Sequence, residues 1–216
     1  MIVVIGGQKG GTGKSMTAAN LAVQSVRAKF KTLLIDADPQ STASDWATIR
    51  NSTDLPHVLC IQRRGTALAK DIAAFSKDYD VIIVDCDGRS SESQISALMV
   101  ADISLVVLRA AAADMWTLDV VQKMRDLVVP INPDLKTLVV FNQAATNAND
   151  SDFSLAVNSL KESYPDLEVF PYPIKSRKGF ANAFGFGQGI SENNEKTDSV
   201  SMGVIEINRL FKNLFK

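Results

Sequence analysis

A chain of 216 residues, 46% hydrophobic and 22% charged, has the material for one domain with a large core, and residues 1–216 are read as such. A formal net charge of −1 and a pI near 5.9 exclude attraction of the whole molecule to nucleic acid or anionic membrane, so any such binding needs a local basic patch. Cys60 and Cys86 have neither metal-ligand spacing nor a redox motif and read as buried, reduced small hydrophobes, and the single histidine, His57, leaves a His-based metal site or triad without support.

The opening MIVVIGG is too short an apolar stretch for a signal peptide, and no run reaches the ~18–20 apolar residues that span a bilayer. A cytoplasmic setting is the expectation. In chain order, strands are expected at 2–6, 32–36, 58–61, 81–85, 103–108 and 137–142, with a weaker one at 168–170. These are continuous apolar runs, the pattern of a sheet covered on both faces. Helices are expected at about 14–29, 42–50, 67–75, 91–100, 117–127, 152–163 and 201–215. The alternation predicts an α/β fold: a doubly wound, mostly parallel β-sheet with helices on both faces. Residues 178–198, where Gly179, Gly185, Gly187 and Gly189 interleave with Phe180, Phe184 and Phe186, read either as a mobile functional loop or as a glycine-rich connection.

Directly after the first strand comes Gly7-Gln8-Lys9-Gly10-Gly11-Thr12-Gly13-Lys14-Ser15, which opens the first helix. Glycines let successive backbone N–H groups turn inward around phosphate oxygens, and the helix N-terminus adds its positive dipole. Lys14 supplies a point charge to the β- and γ-phosphates, and the Ser15 hydroxyl is placed for Mg²⁺. The position of the usual first glycine is held by Gln8, and a second lysine, Lys9, follows it.

This KGGTGKS string resembles the deviant phosphate-binding loop of the ParA/MinD family of partition and positioning ATPases. The resemblance implies ATP/ADP and Mg²⁺ as ligands, held by Lys9, Gly10, Gly11, Thr12, Gly13, Lys14, Ser15 and Met16. It also implies an ATP-dependent homodimer in which Lys9 contacts the partner's phosphates in trans, with Lys9 and Lys14 counted as catalytic. Met16 departs from the threonine frequent in the family, which removes a hydroxyl contact to the α-phosphate and leaves a backbone one.

The second strand ends Asp36-Ala37-Asp38-Pro39-Gln40, which resembles the family's DxDPQ element. By that match Asp38 positions or activates the attacking water and Asp36 holds the Mg²⁺ shell; an Asp–Pro turn with solvated carboxylates is the alternative. The run Val81-Ile82-Ile83-Val84-Asp85 closes on an acid in the form of a Walker B strand, so Asp85 is assigned to Mg²⁺. Relatives often continue with a small residue and proline, whereas this chain has Cys86-Asp87-Gly88. Asn142 stands where relatives often read the adenine edge, and residues 173–177 where they contact the base. Trp116, in a segment similar to a family loop near the dimer interface, reads as a core or interface anchor as readily as anything chemical.

The resemblance further implies slow ATP hydrolysis, non-specific DNA binding in the ATP state, a nucleoid-associated location in that state and a centromere-binding adaptor protein that stimulates hydrolysis. The chain begins at its first strand, so the short partition type without an N-terminal helix-turn-helix is the expectation. Lys175, Arg177, Lys178, Arg209 and Lys212 are the candidates for a pooled basic patch. Two alternatives stand beside DNA partition. One is a switch for a protein cargo; the other is a MinD-like membrane-associated protein, for which Val204, Ile207, Leu210, Phe211, Leu214 and Phe215 form a helical stripe beside Arg209, Lys212 and Lys216. The same stripe suits a helix docked on the sheet, which makes membrane binding the less favoured expectation.

Overall fold

Seven short apolar segments pair in parallel as β1 (Ile2–Gly6), β2 (Thr32–Asp36), β3 (Leu59–Gln62), β4 (Val81–Asp85), β5 (Ile103–Leu108), β6 (Lys136–Phe141) and β7 (Glu168–Val169). Their order across the sheet is β3-β2-β4-β1-β5-β6-β7. The computed structural model describes residues 1–88, 91–147 and 151–215; Lys216, named above with the terminal stripe, lies outside them. β1 sits in the sheet interior between β4 and β5, so the chain enters at a switch point whose carboxyl edge opens a crevice.

Alternation along each strand assigns the two faces. Val3 and Ile5 of β1, Leu34 of β2, Ile83 of β4 and Leu105 of β5 share one apolar cluster with Leu21, Trp46, Phe180 and Ile207. These last come from α1 (Lys14–Arg27), α2 (Thr42–Asn51), α8 (Lys178–Gly185) and α9 (Asp198–Leu214). The opposite face is covered by α3 (Leu68–Phe75), α4 (Glu92–Leu98), α6 (Leu118–Val128) and α7 (Asp152–Ser163), through Ile72, Ala97, Met124 and Leu160. A one-turn α5 (Ala112–Met115), not anticipated from the sequence, precedes α6.

The largest departure from expectation is the glycine-rich stretch 178–198, which carries α8 and a 3-10 turn at Ile190–Glu192. Gly179, Gly187 and Gly189 mark close contacts, whereas Gly185 faces open space. Gly187 has φ 68°, and a Cβ there would collide with the backbone of Arg50. The Arg50 side chain is fully buried and makes a two-pronged ion pair with Glu192 at 2.7 and 2.8 Å. It also donates to Pro56 O at 2.8 Å and Gly187 O at 3.1 Å. Ile190 N donates to Asn20 Oδ1 at 2.8 Å, which ties the same stretch to α1.

The terminal stripe is docked. Ile207, Leu210 and Leu214 are buried in the α1 layer, and Phe211 and Phe215 stack with ring centroids 4.5 Å apart. α9 begins earlier than the expected 201 because Thr197 caps it, its hydroxyl accepting from Val200 N at 3.3 Å. Among the described residues no helix is long and apolar enough to cross a membrane.

Arg50→Met would leave the Glu192 carboxylate buried without its cation. A loss of about 3–5 kcal/mol is expected in a denaturant titration, with a large part recovered when Glu192→Leu is added.

Candidate nucleotide-binding site

In the loop between β1 and α1, the carbonyls of Lys9, Gly11, Thr12 and Gly13 are each bound by a neighbouring side chain. Gly13, the residue before α1, has φ 92°, and a Cβ there would collide with the Asn142 amide. α1 begins with no side-chain cap and no acidic residue in its first turn, so its N-terminal dipole is not neutralised. Lys14, only 7% exposed, donates from Nζ to Lys9 O at 2.9 Å. Asn142 Nδ2 donates to Thr12 O at 2.7 Å, Gln143 Nε2 to Gly11 O at 2.9 Å, and Thr17 Oγ1 to Gly13 O at 2.9 Å.

Asn142 therefore stands one residue past β6, 1% exposed, with its amide engaged on the loop. Its neighbour Gln143, in the left-handed region at φ 55°, is the one of the two that lines the cleft. The cleft has a volume of about 890 Å³, within the usual range for small-molecule sites. Gln8, Lys9, Gly10, Gly11, Gly13, Lys14, Ser15 and Met16 form one wall; Asp38, Pro39, Gln40, Asp87 and Gly88 contribute others, and Phe184 of α8 completes it. Phe184 stacks on Trp46 with centroids 6.3 Å apart, so α8 is held against α2 beside the cleft. Thr12 is fully buried.

The acids fall at two depths. Asp36 and Asp85 lie opposite each other in the β2–β4 register, on the strand face that looks toward α1 and α2, and both are fully buried. The Asp36 carboxylate accepts from Asp38 N at 3.1 Å and from Ser44 N at 2.8 Å, which caps the first turn of α2. Neither Asp85 oxygen has a hydrogen-bond donor among the described residues. Burial pushes the Asp85 carboxyl up to about 7; the Ser15 hydroxyl and Lys14 pull against this, while the charges of Asp36 and Asp38 add to it. Asp38, nearer the surface, accepts from Gln40 N at 2.8 Å, and Arg64, which the sequence reading did not single out, donates to Asp38 O and Ser41 Oγ, both at 2.9 Å.

A hard divalent cation fits this donor set. Asp85 offers two unpartnered carboxylate oxygens next to the Ser15 hydroxyl, whereas both Asp36 oxygens already accept backbone N–H bonds. Among the described residues no group of three or more His, Cys, Asp or Glu side chains is arranged to hold a metal ion. Waters and a phosphate would have to complete the coordination, as Mg²⁺ sites commonly require.

Lys9 lines the cleft half-exposed. Across from it, Asp114 is buried and accepts from Arg109 N at 3.1 Å and Nε at 2.7 Å. Burial opposes the charged form of Asp114, but the Arg109 hydrogen bonds outweigh it and hold the carboxyl below its ordinary value, with Lys9 adding to the effect. Trp116 is 75% exposed and therefore no core anchor. Of the basic candidates, Arg177 is committed to Glu206 at 2.7 Å and Arg209 lies over the Tyr172 ring at 4.8 Å, while Lys178 and Lys212 are exposed. Cys86 is buried as expected and Cys60 only partly so; burial pushes the Cys60 thiol up to about 12 and raises Cys86 as well, which disfavours the thiolate at both.

Comparison with known proteins agrees with this geometry. The family model described as the CobQ/CobB/MinD/ParA nucleotide binding domain matches residues 3–59, which hold the loop, β2 and α2. The protein ParA of Rhizobium radiobacter is 24% identical over 218 residues, covering 100% of this chain and 96% of its own. In fold, the chain is similar to the McdA–ATP complex of Cyanothece, with a TM-score of 0.76, 18% identity and coverage of 99% and 94%. It is also similar to the septum site-determining protein MinD of Pyrococcus horikoshii complexed with Mg-ADP, with a TM-score of 0.73, 16% identity and coverage of 100% and 96%. Residues 3–59 thus match a CobQ/CobB/MinD/ParA nucleotide binding domain, and over its whole length the chain is similar in sequence to a ParA protein and in fold to MinD.

Proposed function

We propose that this protein is an ATP-dependent dimerising switch that serves DNA partition: it binds DNA without sequence preference in the ATP state and leaves it after hydrolysis stimulated by a centromere-binding adaptor. The observation that carries this reading is a loop that borders one cleft with two lysines, Lys9 and Lys14, at an uncapped helix N-terminus. One lysine suffices for a bound triphosphate. The second stands half-exposed at the mouth of the cleft, where a facing subunit's phosphates would come within its reach.

In this mechanism the loop N–H groups and Lys14 cradle the β- and γ-phosphates, and Lys14 exchanges its bond with Lys9 O for phosphate oxygens. Ser15 and Asp85 would hold Mg²⁺, which when bound would supply positive charge to offset that of the phosphate oxygens. Asp38 lines the cleft with its backbone pinned by Arg64, placed to orient an attacking water and take its proton. Asp36 acts one layer below by fixing Asp38 N and the start of α2. Intrinsic turnover is slow because Lys9 completes the neighbouring site only in the dimer. The protein works in the cytoplasm and is nucleoid-associated in its ATP state. The docking of Ile207, Leu210 and Leu214 argues against α9 as a membrane anchor, since its apolar stripe already covers α1. Of the basic residues, Lys178 and Lys212 are the exposed candidates for DNA phosphates.

The reading is tested by binding to unrelated duplex DNA. Binding is expected with ATP, absent with ADP, and weakening steeply as salt rises. Behaviour independent of DNA in every nucleotide state would instead favour a switch for a protein cargo.

Lys9→Ala is expected to keep monomer nucleotide binding, lose the ATP dimer in light scattering and reduce phosphate release by about 100-fold or more. Asp38→Ala is expected to retain the ATP-driven dimer while turnover falls by about 100-fold or more. A monomeric, nucleotide-bound Asp38→Ala protein would count against the assignment.

A further inference from the structure

Asp87 is a carboxylate on the cleft wall that the mechanism above leaves without a task. It follows β4 by two residues, at a position where similar proteins often have proline. Its Oδ1 is buried and has no hydrogen-bond donor among the described residues. The adjacent Gly88 packs so closely on the phosphate loop that a Cβ there would stand 3.2 Å from the Lys9 carbonyl and 3.3 Å from Gly10 N. The backbone at Asp87 and Gly88 is thus held beside the loop, with the half-exposed Asp87 side chain on the cleft wall.

Charge makes this position informative. Two lysines, Lys9 and Lys14, face four carboxylates at or beneath the cleft: Asp36, Asp38, Asp85 and Asp87. Asp36 is answered by backbone N–H groups, but both oxygens of fully buried Asp85 and one of Asp87 are not. A desolvated carboxylate without a donor is costly, and beside a polyphosphate it is repulsive. Both costs vanish when a divalent cation lies between the acids and the phosphates.

We propose that Asp87 is a second acidic group of the magnesium site, gripping the hydrated cation alongside Asp85. The chain thereby accepts the metal–nucleotide complex and rejects the metal-free nucleotide. This rests on the nucleotide-binding reading of the cleft. A residue of this kind acts on the cation's water shell, where loss of one partner lowers metal affinity by about 10- to 100-fold.

The test uses the full chain and the isosteric change Asp87→Asn. A fluorescent ADP is titrated in excess EDTA and again in excess Mg²⁺, and Mn²⁺ binding to the protein–ADP complex is followed by electron paramagnetic resonance. In Asp87→Asn, Mn²⁺ affinity is expected to fall by about 10-fold while affinity for metal-free ADP rises, because a repelling charge has gone. Asp87→Ala is expected to change both in the same directions. Unchanged Mn²⁺ affinity would overturn the proposal, as would a parallel loss of ADP affinity with and without metal. If the wild-type chain binds ADP in neither condition, the nucleotide reading fails and this proposal with it; if it binds in both and Asp87→Asn matches it, the proposal alone fails.

Discussion

A backbone that turns its N–H groups toward a ligand has to dispose of its carbonyls elsewhere, and four carbonyls between Lys9 and Gly13 are taken by side chains from two places, α1 and the segment after β6. Lys14 takes the Lys9 carbonyl, Gln143 that of Gly11, Asn142 that of Thr12 and Thr17 that of Gly13. Unpaired buried carbonyls would otherwise draw the loop toward other partners and close the concavity. Lys14 has a double part: it supports the loop from within when no phosphate is present, and it is the cation that a phosphate would engage.

The acids follow from sheet geometry in the same way. Parallel neighbours in register stand about 4.8 Å apart, so Asp36 and Asp85 project from the same face as a like-charged pair. The pair divides its burden: Asp36 spends its charge on backbone N–H groups at the start of α2, and Asp85 is left open. That asymmetry leaves Asp85 as the buried acid whose charge is not answered by a hydrogen-bond donor among the described residues.

The C-terminal third of the described chain connects to the site through Arg50. Its bonds to Glu192 and Gly187 hold the stretch after α8 on α2, the helix whose first turn Asp36 caps. Trp46 of α2 stacks on Phe184, which lines the cleft. The helix that follows the Asp38 loop and the helix that carries Phe184 are therefore fastened to one another.

Local chemistry determines much of this protein from its residue order alone. The apolar runs place the strands because a doubly covered sheet needs no polar face, and the loop from Gly7 to Ser15 declares phosphate binding because its glycines and lysine suit no other common task. Asp36, Asp38 and Asp85 were legible as strand ends followed by turns. Only the tertiary structure decided that Asn142 underpins the loop, that Arg177 is spent on Glu206, and that residues 178–192 carry a packed helix and turn. Each of these depends on a partner far away in the chain: 130 residues from Asn142 to Thr12 and 142 from Arg50 to Glu192. Glycines that read locally as freedom are contact points once a second segment lies against them, as Arg50 does at Gly187 and Val23 at Gly189. Spacing reports what a segment prefers by itself; which polar groups remain free for a ligand depends on which ones the folded chain has already used.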